Sequence, residues 1–313
     1  MNGREEILRV HAKKVKLAEG VDLGLIARGT PGYSGAELAN VINEAALLAA
    51  RRGLKAITLA ELEEARDKVR WGKERRSLAI SEKDKEKTAY HEAGHAILLV
   101  LLENTDPLHK VTIIPRGPSL GSTMWLPIAD KYTQRKSELI DQLVVIMGGR
   151  VAEEVVFGDV ASGASGDIKQ ATAIARKMVC EWGMSEELGM VEYGDHQEHV
   201  FLGRDMGSPR NYSEATAQKI DAEVKRFIDT AYERATVLIL ANRDKLDVIA
   251  KGLLVFETLD AKHIHEIMEH GEIRNPPSSP TPPELPSESA PKKRVVEKEK
   301  ENEEDFPGLP APA

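Results

Sequence analysis

The pentapeptide His91-Glu92-Ala93-Gly94-His95 constrains this chain more than any other stretch. It reads as H-E-x-x-H inside a helix. Positions four apart on a helix lie one turn up the same face, so His91 and His95 can aim two imidazoles at one ion. Glu92 sits one step round, where a carboxylate can reach a water held by that ion without ligating it. Zinc in catalytic sites keeps an open position and lowers the pKa of bound water to about 7. A general base beside that water then equips it to attack a peptide carbonyl. The plainer alternative is a helix with two hydrogen-bonded histidines and a solvated glutamate, and the rest of the chain has to decide.

With 313 residues there is room for two ordinary domains, each with its own core. Aromatics make up only 4% of the chain, so Leu, Ile, Val and Ala carry the apolar load, which suits helices packing on helices. A net charge of −8 leaves no basic footprint and argues against a nucleic-acid partner. The sole cysteine, Cys180, excludes an internal disulfide framework; within Ile174–Cys180 it reads as a buried small hydrophobe. No uncharged apolar run approaches the roughly 18–20 residues of a spanning helix, and Met1-Asn2-Gly3-Arg4-Glu5-Glu6 is unlike a signal peptide. As written, the chain is expected to be soluble, with no transmembrane segment.

Residues 1–74 read as four helices. Glu5 to Val10 begins the first and Val21 to Ala27 supplies a second short apolar segment. Thr30-Pro31-Gly32-Tyr33 is a turn, Ser34 with Glu37 forms a capping box, and Thr58 caps a last helix. Ile7–His11, Val21-Asp22-Leu23 and Thr30–Asn40 resemble the small helical lid subdomain of AAA+ ATPases. That resemblance implies that His11, Gly35 and Ala36 lie nearest the adenine and ribose of a bound ATP. No G-x-x-x-x-G-K-[ST] loop occurs anywhere, so ATP hydrolysis is not expected from this chain alone. Beginning at Met1-Asn2-Gly3-Arg4, it reads as a piece cut just after the large ATPase subdomain.

A charged connector, Arg70 to Ser77, leads to the histidine helix, which Ser81 and Asp84 should cap and which should run to about Leu102. Val111–Ile114 and Leu120–Leu126 read as strands of a small sheet, whose edge could hold an extended substrate by main-chain hydrogen bonds. A long helix is expected from about Thr133 to Phe157, interrupted at Gly148-Gly149-Arg150. Two places offer a third metal ligand. Glu153 and Glu154 lie on that helix, with a solvated face as the plainer reading. Asp167 follows the small-residue loop Val160–Gly166, with Ser165 as the expected N-cap. The helix dipole alone favours an aspartate there, so spacing leaves the choice open. Helices at Thr216–Ala241, about Lys245–Leu253 and Ala261–His270 complete an α-rich domain, with His263, His265 and His270 expected to face solvent. The histidines of Gly194–His199 are expected on a surface loop.

Thr88–His95, Ile114-Pro115-Arg116-Gly117, Gly148–Glu154, Ser162–Ile168, Val200–Arg204 and Glu257-Thr258-Leu259-Asp260 together resemble the FtsH family of membrane-anchored, ATP-dependent zinc metalloproteases. The match runs over roughly residues 4–270 in the family's order. It implies a mainly α fold: a four-helix AAA+ lid (1–74), then an α-rich zinc peptidase domain with a small β-sheet (75–273). It implies zinc held by His91, His95 and Asp167, with Glu92 as the base. It further implies unfolded or membrane proteins as substrates, a homo-hexamer, and a place at the cytoplasmic face of a membrane, the bacterial inner membrane. From Arg274 to Ala313 the composition turns to Pro, Ser, Lys and Glu and reads as a disordered tail. The rival readings are a non-catalytic ring-assembly module and a zinc hydrolase of a smaller substrate.

Overall fold

In a computed structural model, the described residues are 1–194 and 212–277. Two hydrophobic cores organise them. The first comes from α1 (Asn2–Ala12), α2 (Leu23–Arg28), α3 (Gly35–Arg51) and α4 (Leu59–Trp71), which bury Leu8, Ile26, Leu38, Val41 and Leu62 together. Ser34 and Glu37 form the expected capping box, and Gly72 ends α4 at φ 91°, a conformation natural to glycine.

The second core is built on α5 (Glu82–Leu101), which Ser81 caps through the Asp84 N–H. Its apolar half packs on α6 (Lys136–Phe157), α8 (Glu214–Ala241) and α9 (Arg243–Phe256). Between α6 and α8 lies α7 (Ser165–Cys180), in which Cys180 is buried as expected and burial pushes its thiol pKa up. The chain closes with α10 (Ala261–His270). No helix among the described residues is long and apolar enough to cross a membrane.

The sheet has three short antiparallel strands in the order β2-β1-β3: β1 (Leu108–Thr112), β2 (Ser122–Trp125) and β3 (Thr258–Asp260). Val111 pairs with Thr123 on one side and Leu259 on the other, so among the described residues β2 has one unpaired edge.

The structure differs from the sequence expectations at several places. The first strand starts at Leu108 rather than Val111, because His109 and Lys110 are occupied by carboxylates of α4 and so belong to the packed structure. The third strand was not foreseen. Gly148-Gly149 does not interrupt α6; the pair runs through it as regular helix, since the bare backbone there is filled by α5. His263 is buried, its Nδ1 accepting from the Asp260 N–H at the start of α10, whereas His265 and His270 are exposed. Val200–Arg204, nearly all of the Gly194–His199 stretch and the tail beyond residue 277 lie outside the described residues.

Candidate metal centre

Close approach of α5 and α6 sets the site. A Cβ on Gly94 would lie 2.3 Å from the Gly148 carbonyl oxygen, and one on Gly148 would lie 2.6 Å from that of Gly94. The two helices therefore touch backbone to backbone, which only glycines permit. At that separation α6 reaches both imidazoles of α5. His95 Nδ1 lies 2.7 Å from the Val145 carbonyl oxygen, and His91 Nδ1 lies 2.7 Å from Glu153 Oε1. A carbonyl or an ionised carboxylate can only accept, so both Nδ1 atoms carry hydrogen and both Nε2 atoms are left for another partner.

Those Nε2 atoms face each other at 3.1 Å. From the first turn of α7, Asp167 Oδ2 approaches them at 3.1 Å (His91) and 3.7 Å (His95). Two donors at about 2.0–2.1 Å from a tetrahedral zinc ion are about 3.3 Å apart, so the three edges of this triangle suit one such ion. Among the described residues, this is the group of histidines and carboxylates that could hold a metal. Gly149 lies directly beneath: a Cβ there would sit 2.6 Å from both Nε2 atoms.

Charge in the cluster is strongly coupled. Burial opposes a proton on His91, but hydrogen bonds to Asp167 and Glu153 outweigh it and lift its pKa to about 10. Burial would raise Asp167; the adjacent imidazoles of His91 and His95 instead hold it far below the carboxylate range. Burial also opposes the charge of Glu153, yet His91 and the Ala161 N–H keep it low.

Glu92 is buried on the adjoining face of α5. Its Oε2 is 2.7 Å from Thr123 Oγ1 on β2, which donates to it. Gly121 presses on the same side chain: a Cβ there would lie 2.8 Å from Glu92 Cγ and Oε1. β2 thus runs past the carboxylate. Around it opens a cleft of about 750 Å³, lined by His91, Glu92, His95, Asp167, β2 and, from the first core, Pro31, Arg66 and Trp71.

The structure therefore brings together His91, His95, Asp167 and Glu92. Glu153 is buried in a different role: its Oε1 holds His91, and its Oε2 accepts from the Ala161 N–H (3.0 Å) in the segment leading to Asp167. Glu154 hydrogen-bonds Tyr232 instead. Ser165 begins α7 rather than capping it; Ala164, the last residue of a 3-10 turn over Ser162–Ala164, precedes it. His11 is half-buried in the last turn of α1, whereas Gly35 and Ala36 are exposed in the first turn of α3. Sequence reasoning missed Thr123, Gly121 and Gly149. Their only sequence signal is small or hydroxyl residues inside apolar elements.

Residues 78–267 match the model of Peptidase family M41, and residues 20–64 match the AAA+ lid domain. The chain is 64% identical over 283 residues to a protein of Methylacidiphilum infernorum named ATP-dependent zinc metalloprotease FtsH 2, covering 90% of this chain and 44% of that one. It is 62% identical over 289 residues to the ATP-dependent zinc metalloprotease FtsH of Akkermansia muciniphila, covering 92% and 36%. The similarly named protein of Chlamydia trachomatis is 54% identical over 270 residues, covering 86% and 30%. The chain thus spans less than half the length of these relatives.

Proposed function

The chain belongs to peptidase family M41, and from that premise we propose that it is the lid and proteolytic part of an ATP-dependent zinc endopeptidase. His91, His95 and Asp167 are its metal ligands and Glu92 is its general base. The observation that carries this reading is the convergence of three donor atoms, edges 3.1, 3.1 and 3.7 Å, beside a buried carboxylate and a strand edge left unpaired among the described residues.

When bound, zinc supplies a Lewis acid that polarises the scissile carbonyl and acidifies water. The remaining work falls to the chain. Glu92 takes a proton from the attacking water and later delivers it to the leaving amine. Thr123 keeps that carboxylate from swinging away. The β2 edge pairs with the main chain of an extended substrate, which places a peptide bond in the cleft whatever its side chains. Such pairing requires an unfolded stretch, hence unfolded or membrane proteins as substrates.

In the full-length protein this part sits at the cytoplasmic face of a membrane, in a homo-hexamer. The lid, through His11, Gly35 and Ala36, closes on ATP bound mainly by a large ATPase subdomain. Degradation of an unfolded protein by the wild-type chain and by Glu92→Gln tests the core of the reading. Loss of cleavage with zinc content preserved is expected; full activity in Glu92→Gln would refute it.

A further inference from the structure

The chain has three tryptophans, and all three line two cavities that share walls. Trp71, at the end of α4, and Trp125, at the end of β2, border the cleft that holds Glu92 and the metal cluster. Trp182, just after α7, lines a second cavity of about 750 Å³. Pro31, Asp106 and Pro127 belong to the walls of both cavities, so the two adjoin. In a chain only 4% aromatic, this placement stands out from scattered surface hydrophobicity.

The second cavity lies in the direction of β2. Beyond Trp125 the chain passes Pro127 and Ile128, the latter 72% exposed, to Tyr132, which is 96% exposed and lines the cavity with Trp182. A substrate paired along β2 and extended beyond Trp125 leads toward Pro127, which borders both cavities. The charged groups there neutralise each other. Arg4 Nη2 lies 2.7 Å from Asp130 Oδ1, and Lys131 Nζ lies 2.9 Å from Asp106 Oδ1. Beside these paired charges, Thr133 and Gln134, the wall presents Pro31, Pro127, Ala129, Tyr132, Trp182 and Met184 as its apolar and aromatic share.

We propose that the second cavity is a distal subsite that receives one large apolar or aromatic side chain of the extended polypeptide, several residues from the scissile bond. This rests on the reading of the chain as a peptidase that pairs substrate along β2. It makes the groove selective for the segments that unfolding exposes, since their buried side chains are the large apolar ones. Aromatic side chains are the residues whose truncation most often costs a binding surface its affinity.

The test uses the whole 313-residue chain and peptides long enough to span both cavities, in a Gly/Ser background, with a single Phe moved stepwise away from the cleaved bond. In the wild type, Phe at the distal position raises kcat/KM about tenfold over Ser, and Trp182→Ala removes that preference. A Trp182→Ala variant that loses activity equally on Phe and Ser peptides has a structural defect, and the proposal falls. The second readout is binding without cleavage. Adding the Phe peptide to the Glu92→Gln chain shifts tryptophan emission saturably, and the shift shrinks when Trp182→Phe is added. Absence of cleavage by the wild type with that shift intact would sink the catalytic reading and leave the groove standing. Cleavage with neither preference nor shift would sink the groove alone.

Discussion

Thr123 and Glu153 show how much of the site depends on residues that do not themselves meet metal or substrate. Thr123 donates 2.7 Å to the Glu92 carboxylate. A hydrogen bond to a charged group is worth about 1.5–3 kcal/mol, so Thr123→Val should lower kcat roughly tenfold or more while leaving KM and zinc content in place. Thr123→Ser, which keeps the hydroxyl, should restore most of the loss in steady-state peptide assays. Glu153 fixes the ring of His91 and the segment that delivers Asp167. Partners of metal-ligating histidines typically contribute 10–100-fold to affinity, and competition with a zinc chelator should show a weakening in that range for Glu153→Gln. At this scale the sequence was legible where contacts are local. The i, i+4 spacing of His91 and His95 specified their shared face. Asp167 lies far along the chain, and only a family resemblance singled it out. Glu153 looked like a rival ligand because composition says where a carboxylate is, not which way its oxygens turn.

At the scale of elements, the α5–α6 crossing governs. Gly148→Ala would thrust a methyl 2.6 Å from the Gly94 carbonyl oxygen and must separate the helices. Overpacking of this kind costs about 1–3 kcal/mol or more, and the urea midpoint should fall accordingly. A glycine pair suggests a break because glycine weakens an isolated helix; the partner helix reverses that penalty by packing against the gap. A second element-scale feature is the seam between α4 and the sheet. Lys110 Nζ lies 2.5 Å from Asp67 Oδ2, His109 Nε2 lies 3.2 Å from Glu63 Oε1, and Arg116 Nη2 lies 2.5 Å from Glu64 Oε2. Burial would raise Asp67 and Glu63, but Arg66 with Lys110, and His109 respectively, hold both below the usual carboxylate range. A depressed folded pKa stabilises above the unfolded value of about 4 and is lost as pH falls through the lower folded value. Unfolding stability should therefore drop below about pH 4, less steeply in Asp67→Asn; equal slopes in urea titrations would contradict this. The same ion pairs explain the misplaced start of β1. His109 and Lys110 look like loop residues until the carboxylates of α4 are set against them. A three-residue strand such as β3 carries too little pattern to be read without its partner.

For the whole molecule, helical periodicity was enough to foresee a mainly α chain, and the capping boxes located its first helices. What it could not supply was the arrangement of the two cores. The cleft exists because Pro31 and, on α4, Arg66 and Trp71 wall off a site whose remaining residues belong to the elements of the second core. No local pattern encodes that meeting of distant surfaces, and it makes the lid helices part of the substrate's surroundings. The central claim is that this shared cleft holds one zinc ion on His91, His95 and Asp167, with Glu92 beside the metal but not on it. Metal content per chain, measured by atomic emission on the purified wild type, Glu92→Gln, Asp167→Asn and Glu154→Gln, tests it most directly. The account predicts one zinc per chain in the wild type, Glu92→Gln and Glu154→Gln, and loss in Asp167→Asn. Zinc retained by Asp167→Asn and lost from Glu154→Gln would contradict it.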